Sequence, residues 1–174
     1  RKLSERLSAG VTGKFIYSNL AAGQIVDGET IEPGVAGAAD FSLTYIAPVE
    51  LNNAESELTV GLALSNIGSK ITYTNSLNRD FLPANFGIGA GWKIDMDQYN
   101  SITIAADINK LLVPTPCQGL DCDLNNDGIP DWKDESPVGA VFSSWSDAPE
   151  GFEEELREFI YSIGVEYWYD EQFA

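Results

Sequence analysis

The stretch Asn85-Phe86-Gly87-Ile88-Gly89-Ala90-Gly91-Trp92-Lys93-Ile94-Asp95 alternates without a break. Phe86, Ile88, Ala90, Trp92 and Ile94 share one parity; Asn85, Gly87, Gly89, Gly91, Lys93 and Asp95 share the other. Side chains on a strand point to opposite faces with period two, so this is a strand with one wholly apolar face. Five further stretches repeat the pattern. Leu7, Ala9, Val11, Phe15 and Tyr17 oppose Ser8, Gly10, Thr12, Lys14 and Ser18. Val35, Ala39, Phe41, Leu43 and Tyr45 oppose Ala36, Asp40, Ser42 and Thr44. Leu58, Val60, Leu62 and Leu64 oppose Glu57, Thr59, Gly61 and Ser65. Ile102, Ile104, Ala106 and Ile108 oppose Ser101, Thr103, Asp107 and Asn109, and Tyr161, Ile163, Val165, Tyr167 and Tyr169 oppose Ser162, Gly164, Glu166 and Asp170.

The connections alternate in length: 20–34 long, 48–56 short, 66–83 long, 95–100 short and 114–158 very long. Short turns on one side and long loops on the other are the pattern of an outer-membrane β-barrel. The expected fold class is therefore all-β, an antiparallel transmembrane β-barrel with long acidic extracellular loops and a short loop helix. The competing reading is a soluble antiparallel barrel or sandwich with its apolar face inside. Two features oppose it. The polar faces are rich in Gly, Ser and Ala, which suit a crowded lumen, and Tyr17, Tyr45, Trp92, Tyr161 and Tyr169 fall near stretch ends, where interfacial girdles sit. No run of 18 or more apolar residues offers a transmembrane helix, and in lipid a closed barrel is the remaining way to satisfy the backbone. If long loops face outward, strands near 5–19, 56–65 and 101–113 run outward and the other three return. Lys14, Lys93, Asp107 and Glu166 then face the lumen as an expected charge network, and Asp170-Glu171-Gln172 reads as the next short turn.

The 174 residues are expected to form part of a single barrel domain, 1–174, with residues 114–158 as its long extracellular loop. Six strands are fewer than the minimum of about eight for such a barrel, so the chain reads as a fragment whose missing strands cover its edges.

The formal charge is −17, and residues 114–158 carry twelve Asp and Glu against two basic residues. Phosphate recognition needs the opposite sign, so no nucleic-acid partner is expected. The chain has no His, which removes Ser-His-Asp and Cys-His nucleophile systems and His-based zinc sites. No Gly-rich phosphate loop or catalytic constellation appears, and no enzymatic activity is expected. Asn78-Arg79-Asp80 reads as a solvated part of the second long loop. Cys117 and Cys122, five apart in one exposed loop, are expected to form a local disulfide in an oxidising compartment.

The most specific local motif is Asp123-Leu124-Asn125-Asn126-Asp127-Gly128-Ile129-Pro130-Asp131-Trp132-Lys133-Asp134. It follows the D-x-N-x-D-G pattern of calcium loops, which place oxygen ligands at positions 1, 3, 5, 9 and 12. The expected ligands of a structural Ca2+ are Asp123, Asn125, Asp127, Asp131 and Asp134 with the Ile129 carbonyl. Gly128 permits the sharp turn. Position 12 is Asp rather than Glu, and Pro130 argues against a following EF-hand helix, so the loop is closer to thrombospondin type 3 or dockerin calcium repeats. Without an ion, the same residues make an acidic Asx-turn loop. Residues 146–159 read as a short helix capped by Asp147 or Ser146, with Pro149 in its first turn. Phe152, Leu156 and Phe159 share one face of it, either packed on the barrel rim or docking a partner.

Four motifs carry a family resemblance. Ser65-Asn66-Ile67-Gly68-Ser69-Lys70-Ile71-Thr72-Tyr73 and Asp80-Phe81-Leu82-Pro83-Ala84-Asn85-Phe86-Gly87-Ile88-Gly89 resemble the PorV family of type IX secretion outer-membrane proteins. Asp107-Ile108-Asn109-Lys110-Leu111-Leu112-Val113-Pro114-Thr115-Pro116 and Ser162-Ile163-Gly164-Val165-Glu166-Tyr167-Trp168-Tyr169 fit the same family. The resemblance spans roughly 56–174 and is weak before residue 50; the sister families PorQ and PorP share parts of it. It implies a barrel like the FadL fatty-acid channel, of about fourteen strands, with this chain as six strands of its later portion. It also implies a shuttle that takes cargo by its C-terminal signal domain from a SprA-type translocon to a PorU-type sortase. The loops at 66–83 and 114–158 are the implied cargo surfaces. A passive channel for hydrophobic small molecules is the alternative function.

Overall fold

The computed structural model describes residues 1–26, 28–51, 54–74, 79–117, 122–126, 128–149 and 151–170. Six strands form one antiparallel sheet: β1 (Leu7–Ser18), β4 (Gly34–Leu51), β5 (Ala54–Gly68), β6 (Asn85–Asp95), β7 (Asn100–Leu111) and β8 (Phe159–Tyr169), each hydrogen-bonded to the next in that order. A small hairpin, β2 (Ile25–Val26) with β3 (Glu29–Thr30), lies inside the first long connection. Helices α1 (Asp131–Asp134), α2 (Pro137–Ser143) and α3 (Phe152–Arg157) lie in the last. All the long connections leave the same end of the sheet.

The register explains why the alternation is so strict. Val11 pairs with Phe41, Phe41 with Leu64, Leu64 with Phe86 and Phe86 with Lys110. A second row runs Ala9, Leu43, Leu62, Ile88, Ile108 and Tyr161. Paired residues share a face, so the apolar parities of all six strands merge into one surface. Val11, Phe15, Phe41, Ile88, Ile104, Ile163 and Val165 are exposed on it. The opposite parity, with Thr44, Gly61, Gly89 and Asn109, lines a concavity of about 490 Å³. The sheet thus curls around its small and polar face and turns its apolar face outward. No helix among the described residues is long and apolar enough to cross a membrane.

Strand ends extend beyond the alternating stretches. The expected short link at 48–56 is largely paired strand, Val49 with Ser56 and Glu50 with Glu55. Pro48 is tolerated because it lies past Tyr45, the last β4 residue paired with β1, where one side of β4 is an edge. The other short link turns on Asp97, whose Oδ1 accepts from the Tyr99 and Asn100 backbone N–H groups at 2.8 and 2.9 Å. The Tyr99 bond foremost, with the Asn100 side chain helping, holds the Asp97 carboxyl below its ordinary range. The turn expected at 170–172 has only Asp170 within the described residues; its N–H donates to Tyr99 O at 2.6 Å.

One irregularity has a clear cause. The β4–β5 register shifts between Ala39 and Phe41, so Ser65 and Asn66 together face Asp40. Asn66 adopts φ 59°, a value that Asn tolerates better than most residues. Its N–H donates to Asp40 Oδ1 at 2.8 Å, and its Oδ1 accepts from Lys14 Nζ at 2.9 Å. Lys14 also pairs with Asp40 at 2.7 Å.

The single charge network expected along the concave face is instead several separate clusters. Lys14 meets Asp40 and Asn66, Asp107 accepts from Asn109 at 2.5 Å, and Lys93 pairs with its own neighbour Asp95 at 3.3 Å. Lys93 lies two strands from Glu166, with Thr103 between them in the register.

Candidate functional site

The long connections converge at one rim and cover opposite faces of the sheet. Residues 69–74 and 79–84 fold onto the concave side. Ile71 and Leu82 are buried there with Ala36, against Ile16, Ala38 and Tyr73. Ile71 and Asp80 bridge the connection to itself, Glu32 N–H donates to Tyr73 O at 2.7 Å, and Tyr73 hydroxyl lies 3.0 Å from Ser18 Oγ. Gly34 is required at this contact, because a Cβ would meet Ile71 Cγ1 at 2.8 Å.

Helices α2 and α3, with Trp145 between them, fold the other way, onto the apolar face. Phe86, Lys110 and Phe159 are neighbours in the last apolar row. Trp145 covers them, its ring 5.2 Å from that of Phe86 and 6.1 Å from that of Phe159. Helix α2 starts at Pro137 with Ser136 as N-cap, accepting from Gly139 N–H at 2.9 Å, and buries Ala140. Helix α3 brings Glu155 over Lys110. The Lys110 ammonium is fully buried, 2.6 Å from Glu155 Oε1 and 2.6 Å from Glu158 Oε2. Thr115 Oγ1 lies 3.2 Å from both Glu158 Oε1 and Asp147 Oδ1, and its N–H donates to Asp147 Oδ2 at 2.7 Å. Asp147, Glu155 and Glu158 are the one set of three carboxylates among the described residues whose oxygens lie within 4.8 Å of each other. Lys110 supplies the positive charge they share.

This arrangement corrects the helix expected over 146–159. Asp147 caps no helix, since it is spent on Thr115. Helix α3 starts only at Phe152, after Gly151 at φ 82°, and ends at Arg157. Phe159 is therefore the first residue of β8 and sits under Trp145, while Phe152 and Leu156 remain exposed on α3. Lys110 was legible but missed: it continues the apolar parity of Ile104, Ala106 and Ile108, and a charge in an apolar row needs a buried partner.

The acidic motif closes on itself. Asp123 Oδ2 accepts from Gly128 N–H at 2.8 Å, Asp131 Oδ2 from Leu124 N–H at 3.2 Å, and Asp134 Oδ2 from Asn125 Nδ2 at 3.4 Å. Asn126 and Gly128 take φ 57° and 86°, making the turn the motif requires. Asp127 lies outside the described residues. Pro130 N-caps α1, a single turn of helix within the motif, so Asp131 and Asp134 share a helical turn. Cys117 and Cys122 are joined by a disulfide, their Cα atoms 5.7 Å apart.

The two coverings meet across the rim. Lys133 pairs with Asp80 at 3.1 Å, and Lys70 Nζ donates to the Lys133 carbonyl while lying 4.3 Å from the Phe81 ring centre. Burial, only partly opposed by Asp134, pushes the Lys70 ammonium below its ordinary range. A cavity of about 810 Å³ opens at this junction between Ile67, Lys70, Arg79, Ile129 and Glu135. Of the Asn78-Arg79-Asp80 stretch, Asn78 lies outside the described residues, Arg79 lines the cavity and Asp80 holds Lys133.

These features define an antiparallel all-β protein with its apolar surface turned outward and a structured rim built from two long connections. The chain belongs to the PorV family: the family described as type IX secretion system protein PorV matches residues 1–118. The match includes the first strands, where the resemblance was expected to be weak, and ends before the 162–169 motif. No curated protein matches the chain. The family is a component of a secretion system rather than an enzyme family, and its β-rich fold is consistent with an outer-membrane location.

Proposed function

We propose that this chain is part of an outer-membrane β-barrel that carries cargo in type IX secretion. It binds the C-terminal signal domain of secreted proteins on the extracellular side and passes them from a SprA-type translocon to a PorU-type sortase, without chemistry of its own. The family match over residues 1–118 carries this reading. The outward apolar face supports a wall against lipid, since a charged or polar surface would be needed in water over so large an area. The rim cavity between Lys70, Arg79 and Glu135 is the surface offered to partners. A structural Ca2+ in the loop 123–134 belongs to the same proposal. Its carboxylate and amide oxygens suit a hard cation, and the ion's role is to stiffen the rim.

The test is a gentle detergent pull-down of the tagged full-length protein with mass spectrometry. Recovery of a giant translocon barrel, a sortase or proteins sharing a C-terminal signal domain is expected. A partner-free barrel carrying fatty acid would replace the shuttle by a FadL-like passive channel.

A further inference from the structure

The covering formed by α2 and α3 has apolar side chains that do not face the sheet. In α2, Ala140 is buried toward the sheet, as is Ser144 just after the helix, whereas Val138 and Phe142 are 62% and 73% exposed. At about 100° per residue, Val138 and Phe142 project nearly opposite to Ala140. In α3, Glu155 points inward to Lys110, while Phe152 and Leu156 share an adjacent stripe and are 75% and 43% exposed. Glu153 and Arg157 lie beyond that stripe, on the side away from the sheet. Helix α2 is thus apolar on both sides, and such a helix is covered on both sides, by protein or by lipid.

The position of this covering selects lipid. It lies on the apolar face of the sheet, not over the concave one, because the residues beneath it are Phe86, Lys110 and Phe159 of the last apolar row. From Ile102 to Lys110, β7 climbs about 26 Å, which at a tilt of about 40° is about 20 Å along the membrane normal. The apolar band of an outer-membrane barrel is about 25 Å tall, so the Lys110 row falls at its outer boundary. The rings Phe86, Trp145, Phe159 and Tyr161 form an unbroken chain there, with Phe159 and Tyr161 6.4 Å apart. Phe152 shares a small cavity with Trp145 and so continues it outward. Aromatic side chains at that depth belong to an interfacial girdle.

We propose that α2 and α3 form an interfacial collar, with Phe142, Phe152 and Leu156 resting in the headgroup–acyl boundary of the outer leaflet. The proposal rests on the barrel reading given above. The sheet's wall and the collar form one lipid-facing surface, and the Lys110 ammonium is buried behind the collar, where the boundary would otherwise expose it to hydrocarbon.

The experiment is site-directed spin labelling of the full-length protein in lipid nanodiscs. Labels are placed through Phe142→Cys and Phe152→Cys, with Val165→Cys on the apolar face of β8 and Leu124→Cys in the acidic loop as references. Cys117 and Cys122 are disulfide-bonded and do not take the label. Collisions with oxygen report lipid and collisions with a water-soluble nickel chelate report water. The expected oxygen-to-nickel ratio at Phe142 and Phe152 is several-fold above that at Leu124 and below that at Val165, which lies deeper on the apolar face. A ratio matching Leu124, with Val165 still lipid-like, overturns the collar and leaves the barrel standing. Protection from both colliders means that protein covers the site, which also overturns it. Water-like behaviour at Val165 itself removes the barrel reading and the collar with it.

Discussion

At the scale of single residues, Lys110 does the most to hold the rim together. A fully buried ammonium is stable only with partners, and it has Glu155 and Glu158, each at 2.6 Å. Replacing it with Met leaves Glu155 buried beside Asp147 and Glu158 with no positive charge, at a cost of about 3–5 kcal/mol to that packing. The expected result is that α3 leaves the sheet, read as rapid protease cleavage within 144–158 while the strands stay protected. Combining Lys110→Met with Glu155→Gln and Glu158→Gln removes the orphaned charges and is expected to restore most of the protection. Equal cleavage of wild type and Lys110→Met would show that the ion pairs do not hold the helix. Gly68 is the opposite kind of residue, needed for its lack of a side chain. A Cβ there would lie 2.1 Å from Gly37 O, at the point where β5 leaves the sheet.

At the scale of elements, strands were legible and helices were not, for a physical reason. Each strand lends one face to the shared apolar surface, so period two persists over long stretches, as from Phe86 to Ile94. Helix α2 has seven residues and apolar groups on both sides, so it shows no amphipathic stripe; only Ser136-Pro137, a cap followed by a first-turn proline, signals it. For α3, Pro149 and the acidic run suggested a start that Gly151 at φ 82° delays to Phe152, and pairing of Phe159 with Lys110 ends the segment as strand. The calcium motif was read from spacing, and the turn at Asn126 and Gly128 follows that spacing. Here the three described aspartates spend an oxygen on Gly128, Leu124 and Asn125, respectively. An ion would compete for those oxygens and draw them toward one point, tightening the loop. Addition of Ca2+ is therefore expected to slow protease nicking between 123 and 134, and chelator to restore it; Asp123→Ala is expected to nick at the chelated rate in both conditions. Cleavage that ignores both calcium and chelator would sink the ion site.

At the scale of the whole molecule, the central matter is which way the sheet faces. Alternation alone fixes that one face is apolar; it does not say whether that face meets lipid or a second sheet. The curvature bears on the choice, since the Gly-, Ser- and Asn-bearing side lines the concavity and Ile163 stays 81% exposed on the other. Adjacent positions on β8 test whether the apolar face is the one shielded from water. Ile163 pairs with Ala106 in the middle of the apolar face, and Ser162 pairs with Asp107 on the concave one. In a membrane, Ile163→Arg places a guanidinium near the bilayer midplane and costs about 2–4 kcal/mol. Ser162→Arg places the same group in the polar interior beside Asp107, where its stem fits among small residues and its charge finds a carboxylate, so little stability is lost. Denaturant unfolding of the full-length protein in lipid vesicles, followed by tryptophan fluorescence, measures both. The expected order is wild type close to Ser162→Arg, with Ile163→Arg well below. The reverse order would show that Ile163 meets water and that Ser162 lies in a packed interior, which removes the wall against lipid. The two substitutions introduce the same side chain one residue apart along the strand, so the order of their stabilities reports which face of the sheet is shielded from water.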